Sequence, residues 1–210
     1  MIIALANSKG GTGKSTCAVH LACLAHESGK RVAFVDCDGQ ESGSRWIKGM
    51  GSPFPVHRLL SPDDLMEQMD GIVETCDLVV SDGPAGFSEI TRALISVSDL
   101  ALLPCGPSVL DLEALRDVLR VVRNAQKIRK GPPTAVLLPN KLRTNFRLSR
   151  ELLEAAGQLG IPHVDGLHLR EAFADAAGQR SVVWRLKGAE EAAREIRHLY
   201  QQIHERYSNA

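Results

Sequence analysis

The sequence predicts an α/β fold: one doubly wound, mostly parallel sheet flanked by helices, with residues 1–210 forming a single domain. Three observations predict it. Short apolar runs of strand length alternate with longer amphipathic segments along the whole chain. Hydrophobic residues make up 44% of the sequence but aromatic ones only 4%, so the core must be built from Val, Leu, Ile and Ala, as in parallel strands covered on both faces. The first apolar run, Ile2 to Ala6, opens into Lys9-Gly10-Gly11-Thr12-Gly13-Lys14-Ser15-Thr16, a glycine-rich passage from strand to helix.

The elements follow in order. A helix over about Lys14 to Ser28 leads to a strand at Arg31 to Asp36, a helix near Ser42 to Lys48 and a short strand around Val56 to Leu59. Ser61-Pro62-Asp63-Asp64 opens the next helix, with serine as cap and proline at the first helical position. Then come a strand ending at Asp82, a helix from Ser88, a strand ending at Pro104, and a long helix from Asp111 to about Lys130. Gly131-Pro132-Pro133 stops that helix before a strand at Thr134 to Leu138. A helix near Leu148 to Leu159, a brief strand at Pro162 to Asp165 and a terminal helix from Ala189 to about Arg206 complete the chain.

Each residue of the glycine-rich loop has a chemical reason to be there. The backbone N–H groups at the start of a helix lack intrachain partners and point at one spot beside the positive end of the helix dipole, which suits phosphate. Gly10, Gly11 and Gly13 let the backbone wrap close, Thr12 and Thr16 complete the cradle, Lys14 brings charge to the β and γ oxygens, and Ser15 offers a hydroxyl to Mg²⁺. The loop therefore predicts ATP and Mg²⁺. The general spacing asks for glycine five residues before Gly13, where this chain has Ser8, followed at once by a second lysine, Lys9. Two further carboxylates arrive at strand ends beside the loop: Asp38, two residues beyond Asp36, and Asp82. Capping of helices is the alternative role for any one of them.

The pattern K-G-G-x-G-K-[ST] resembles the deviant Walker A box of the ParA/MinD class of ATPases, most closely the small ParA-like partition ATPases. The resemblance implies an ATP hydrolase in which Lys9 reaches the nucleotide of a second subunit and Lys14 serves its own. Asp36-Cys37-Asp38-Gly39-Gln40 is similar to the family's D-x-D-P-Q, with Gly39 in place of proline, which implies a looser loop. It places Asp38 near the attacking water and the metal. Asp77 to Asp82 resembles a Walker B strand, with Asp82 on the metal side, and Ser98 to Asp111 resembles the segment that lines the nucleotide and dimer face. Asn140, after the Thr134 strand, is similar to the base-recognition position of related NTPases, with a helix cap as the alternative.

Charge is balanced overall, at 25 basic against 25 acidic residues, but residues 116–150 carry ten basic side chains against the single Asp117. Arg116, Arg120, Arg123, Lys127 and Lys130 step by three or four, so they share one helix face. An all-basic stripe points to an anionic partner such as DNA phosphate, or to a surface whose acids lie on a neighbouring element. The resemblance favours nonspecific DNA bound by an ATP-dependent homodimer, with Arg120, Lys127, Arg143, Arg147 and Arg170 as candidate contacts. It also implies a ParB-like or other adaptor protein that stimulates hydrolysis, and a cargo of DNA or protein.

Two other readings stay open: a MinD-like membrane-associated positioning ATPase and a small-molecule ligase with a deviant phosphate loop. The residues from Ala189 onward mix acids and bases and read as a packing helix, so no membrane insertion is expected. Cys17, Cys23, Cys37, Cys76 and Cys105 have no zinc or C-x-x-C spacing and read as reduced buried residues. With the phosphate loop this close to Met1 leaving no room for a signal peptide, the expected compartment is the cytoplasm, on the nucleoid when ATP is bound.

Overall fold

The computed structural model describes residues 1–86, 88–144 and 146–207. Six strands, β1 (Ile2–Leu5), β2 (Val32–Asp36), β3 (Val56–Arg58), β4 (Leu78–Asp82), β5 (Leu100–Cys105) and β6 (Thr134–Pro139), form one sheet in the order β3-β2-β4-β1-β5-β6. Every pairing is parallel. Strands β1, β2, β4 and β5 are buried at every position, which is why they read as continuous apolar runs and not as alternating ones.

Helices cover both faces. On one side α1 (Lys14–Glu27), α2 (Ser42–Gly49), α7 (Glu171–Gly178) and α8 (Glu190–Tyr207) close over Ile3, Leu5, Phe34, Val80 and Leu102. On the other lie α3 (Pro62–Thr75), α4 (Glu89–Val97), α5 (Val109–Arg129) and α6 (Arg147–Leu159), packed on Ala4, Val35, Val79, Leu103 and Leu137. Ser61 caps α3 by accepting from the Asp64 N–H at 3.1 Å, with Pro62 opening the helix, and Ser88 and Ser108 cap α4 and α5 in the same way. The terminal α8 buries Ala192, Ala193, Ile196, Leu199 and Ile203 in the core, so its apolar stripe is used in packing.

Two expectations need correction. Pro162 to Asp165 is not a strand: only His163 forms a bridge there, to Leu137. Pro162 has no N–H to give, and Gly166 presses so close to β6 that a Cβ on it would lie 2.4 Å from Leu142 Cδ1 and 2.8 Å from the Pro139 carbonyl. The chain between Ser181 and Gly188, with a 3₁₀ turn at Val183–Arg185, and the helix α7 before it were not anticipated. Helix α7 buries only Ala176 and has no side-chain cap, so it carries no periodic signal.

Candidate nucleotide site

The register of the sheet assembles the site. Leu5, the last residue of β1, pairs with Asp82, and Asp82 pairs on its other side with Asp36, so three strand ends deliver the phosphate loop and two carboxylates to one edge. Gly83 must be glycine at this junction: its N–H donates to the Leu5 carbonyl at 3.0 Å, and a Cβ would sit 2.6 Å from that oxygen.

The loop itself is fastened by Asn7, which the sequence did not single out, and by Asn140 and Lys141. Asn7 is fully buried; its amide donates to the Pro104 carbonyl at 2.7 Å, and its side-chain oxygen accepts the Lys9 N–H at 2.9 Å. Gly13 is left-handed at φ 96°, and a Cβ there would meet the Asn140 amide nitrogen at 2.2 Å. That same Asn140 amide donates to the Thr12 carbonyl at 2.6 Å, while its oxygen accepts from the Lys141 N–H. Asn140 thus ties β6 to the loop, and it caps no helix. Lys141 adds a second tie, its ammonium donating to the Gly11 carbonyl at 2.7 Å. The N-terminus of α1 has no capping side chain and no acid in its first turn, so its N–H groups are open to an anion.

The charged groups divide by partner. Lys14 is buried; burial holds its ammonium below the usual lysine range against the opposing pull of Asp82 and Asp38, and it donates to the Lys9 carbonyl at 3.2 Å. Asp82 is fully buried, and among the described residues neither of its oxygens meets a donor in hydrogen-bond geometry. Burial pushes its carboxyl up to about 7, although the neighbouring Ser15 hydroxyl and Lys14 draw it down. A buried carboxylate beside the Ser15 hydroxyl offers two oxygen donors of the kind a magnesium ion accepts. Asp36 is engaged elsewhere: it accepts from the Asp38 N–H at 3.0 Å and from the backbone and hydroxyl of Ser44. Asp38, half-buried, accepts the Gln40 N–H at 3.0 Å. The loop from Cys37 to Glu41 is therefore pinned at both ends, with Glu41 paired to Arg58 at 2.6 Å; the looseness expected from Gly39 is not seen in its bonding.

Lys9 is 38% exposed, and its ammonium lies 3.0 Å from Asp111 of the same chain, next to the exposed Val109 and Leu110. An open pocket of about 610 Å³ joins Gly10, Gly11, Gly13, Lys14, Ser15 and Thr16 to Asp38, Arg45 and Arg180. A smaller slot of about 70 Å³ lies behind Asn140, between Gly13, Thr16 and Leu167 to Phe173.

The basic stripe is confirmed as a surface, since Arg116, Arg120, Arg123, Lys127 and Lys130 are all exposed. Several members of the basic block are paired: Arg129 to the Ser98 carbonyl and Asp99, Arg147 to Glu151 at 3.2 Å and, within the stripe itself, the exposed Arg120 to Asp117 at 3.3 Å. Arg143 lies over the Phe146 ring, 5.8 Å from its centre. Arg170, another of the expected DNA contacts, bridges Glu191 at 2.5 Å and Glu195 at 2.7 Å with its guanidinium.

A family model described as the CobQ/CobB/MinD/ParA nucleotide binding domain matches residues 3–183. The chain belongs to this family. Among CobQ/CobB/MinD/ParA relatives it is similar to the maintenance of carboxysome distribution protein A of Gloeobacter kilaueensis, 32% identical over 96% of this chain and 93% of that one. It is also similar to the virC1 protein of Rhizobium radiobacter, 28% identical over 82% and 78%. The fold matches that of Cyanothece McdA solved with ATP, at a TM-score of 0.82 with 17% identity over 97% and 95% of the two chains. It matches the Pyrococcus horikoshii MinD complexed with Mg-ADP at 0.75, with 18% identity over 96% and 95%. Among the described residues no helix is long and apolar enough to cross a membrane.

Proposed function

We propose that this chain is an ATP-driven positioning switch of the ParA type: two copies close on ATP and Mg²⁺, the closed dimer holds nonspecific DNA, and hydrolysis stimulated by an adaptor protein releases it. The observation that carries this reading is the placement of Lys9. Its ammonium sits at the rim of the phosphate loop, beside two exposed apolar residues and held among the described residues by Asp111, where a second copy could exchange the carboxylate for a triphosphate.

The other residues take roles consistent with it. The open N–H groups of α1, Gly13 and Lys14 receive the phosphates, and the slot behind Asn140 lies where the base would rest. The Ser15 hydroxyl and the Asp82 carboxylate would hold Mg²⁺, which would neutralise phosphate charge. Asp38, at the mouth of the same pocket, orients the attacking water. The exposed stripe on α5 meets DNA phosphates without reading sequence, since the stripe has no aromatic interleaving.

The test is retention of duplex DNA of arbitrary sequence. With MgATP the protein should bind DNA and lose affinity steeply as salt rises; with MgADP it should not bind. Equal binding in both nucleotide states removes DNA from the cycle.

A further inference from the structure

Arg180 has three unusual properties at once. It is one of few non-glycine residues here with a left-handed backbone, at φ 48°. It forms a wall of the pocket that also contains Lys14, Ser15 and Thr16. Its guanidinium has no ion pair or hydrogen bond among the described residues, whereas nearby Arg185 and Arg170 both pair with glutamates.

The surroundings hold it in this conformation. Its aliphatic stem lies on the backbone of α2 at Gly49, where a Cβ would come within 2.2 Å of Arg180 Cδ and 2.9 Å of Cγ. The residue after it is locked to the same helix, because the Trp46 indole N–H donates to the Ser181 carbonyl at 2.8 Å. The Arg180 and Ser181 N–H groups return to the Ala177 and Ala176 carbonyls at 3.2 and 2.9 Å. A disfavoured backbone, a side-chain-free strip beneath the stem and an unpaired charge at a phosphate pocket form one arrangement. Packing alone does not require it, since glycine would turn this corner without strain.

We propose that Arg180 is a further nucleotide-binding residue, a cation that the chain itself lends to the phosphate groups of the nucleotide, with the left-handed backbone as the cost of aiming it. This rests on the reading that the pocket takes ATP. It adds a resident positive group to Lys14 on the side of the pocket formed by α2 and α7. A guanidinium paired with phosphate makes charge-assisted hydrogen bonds, which are among the stronger polar contacts.

The test compares Arg180→Gly and Arg180→Asn, two residues that tolerate the left-handed region, with Arg180→Lys. Affinity for a fluorescent ATP analogue with Mg²⁺ and the melting temperature without nucleotide are measured for each. We expect Arg180→Gly to melt no lower than the parent while its ATP affinity falls about tenfold, Arg180→Asn to lose affinity equally, and Arg180→Lys to keep part of it. The same titration with ADP assigns the contact: an equal loss places it on the α and β phosphates, and no loss places it on γ. Unchanged ATP affinity in both Gly and Asn variants overturns the proposal while leaving the pocket's assignment intact. A lower melting point with unchanged affinity makes Arg180 a packing residue and also overturns it. Failure of the parent protein to bind ATP, or binding that survives Lys14→Ala, overturns the assignment of the pocket itself.

Discussion

His20, in the middle of α1, is a buried base held neutral. Its Nδ1 lies 2.7 Å from the Thr16 carbonyl and so must donate, while its Nε2 accepts the Val183 N–H at 3.2 Å. The rings of Trp46, Phe173 and Trp184 surround it edge-on, and burial pushes its value down to about 4. The unfolded chain, with a histidine near 6.5, binds a proton that the native state refuses, so stability is lost as pH falls from about 6.5 to 4. The loss should reach roughly 3 kcal/mol by the lower limit and be absent in His20→Leu, measured as urea midpoints against pH. Asp82 has the opposite sign. Its carboxyl, raised to about 7 by burial, opposes the native state as it ionises, so nucleotide-free protein should become less stable from about pH 4 to 7. Asp82→Asn should raise the melting temperature at pH 8 without nucleotide and weaken the stabilisation that Mg²⁺ adds to ATP; an undiminished Mg²⁺ effect would deny the carboxylate its metal role. Asp82 was legible in the sequence because it ends an apolar strand run. His20 was not, since a lone histidine in an apolar helix has the same pattern whether it packs or fastens the segment at Val183.

Helix α5 shows where charge read along a sequence departs from charge in space. The stripe of Arg116, Arg120, Arg123, Lys127 and Lys130 was legible from its spacing and is exposed as that spacing requires. Arg129 belongs to the same run of charges, yet it turns inward to the Ser98 carbonyl and Asp99 and joins α5 to the start of β5. Replacing Lys127 or Arg143 with Ala should lower the salt slope of DNA binding by about one while leaving the melting temperature within about 1 °C. Arg129→Ala should instead lower stability by about 1 kcal/mol and leave the slope unchanged. If all three variants behave alike, the division between surface and structural charge is wrong. Elements marked by a local apolar run, an apolar helix face or a cap, from β1 to β6 and α1 to α6, were readable to within a few residues. The parts that were not, α7 and the irregular chain from Pro162 to Gly166, are set by long-range contacts: Trp46 with Ser181, Gly166 with Pro139 and Leu142, and Asp165 with Gln202. None of these contacts leaves a local signature.

At the scale of the whole molecule, strand order determines what can meet. Because β4 lies between β1 and β2, Asp82 stands between the phosphate loop and Asp36, and the helices that follow β1 and β4 leave toward opposite sides of the sheet. The edge that results is open, with Lys9, Val109 and Leu110 beside it, and the proposed switch depends on a second copy closing that edge. The most direct test is the molar mass by light scattering with Mg²⁺ and a non-hydrolysable ATP analogue, for the parent chain and for Lys9→Ala. The account predicts twice the 22.8 kDa chain mass for the parent, and single chains that still bind the analogue for Lys9→Ala. Single chains in both, or dimers in both, would contradict it.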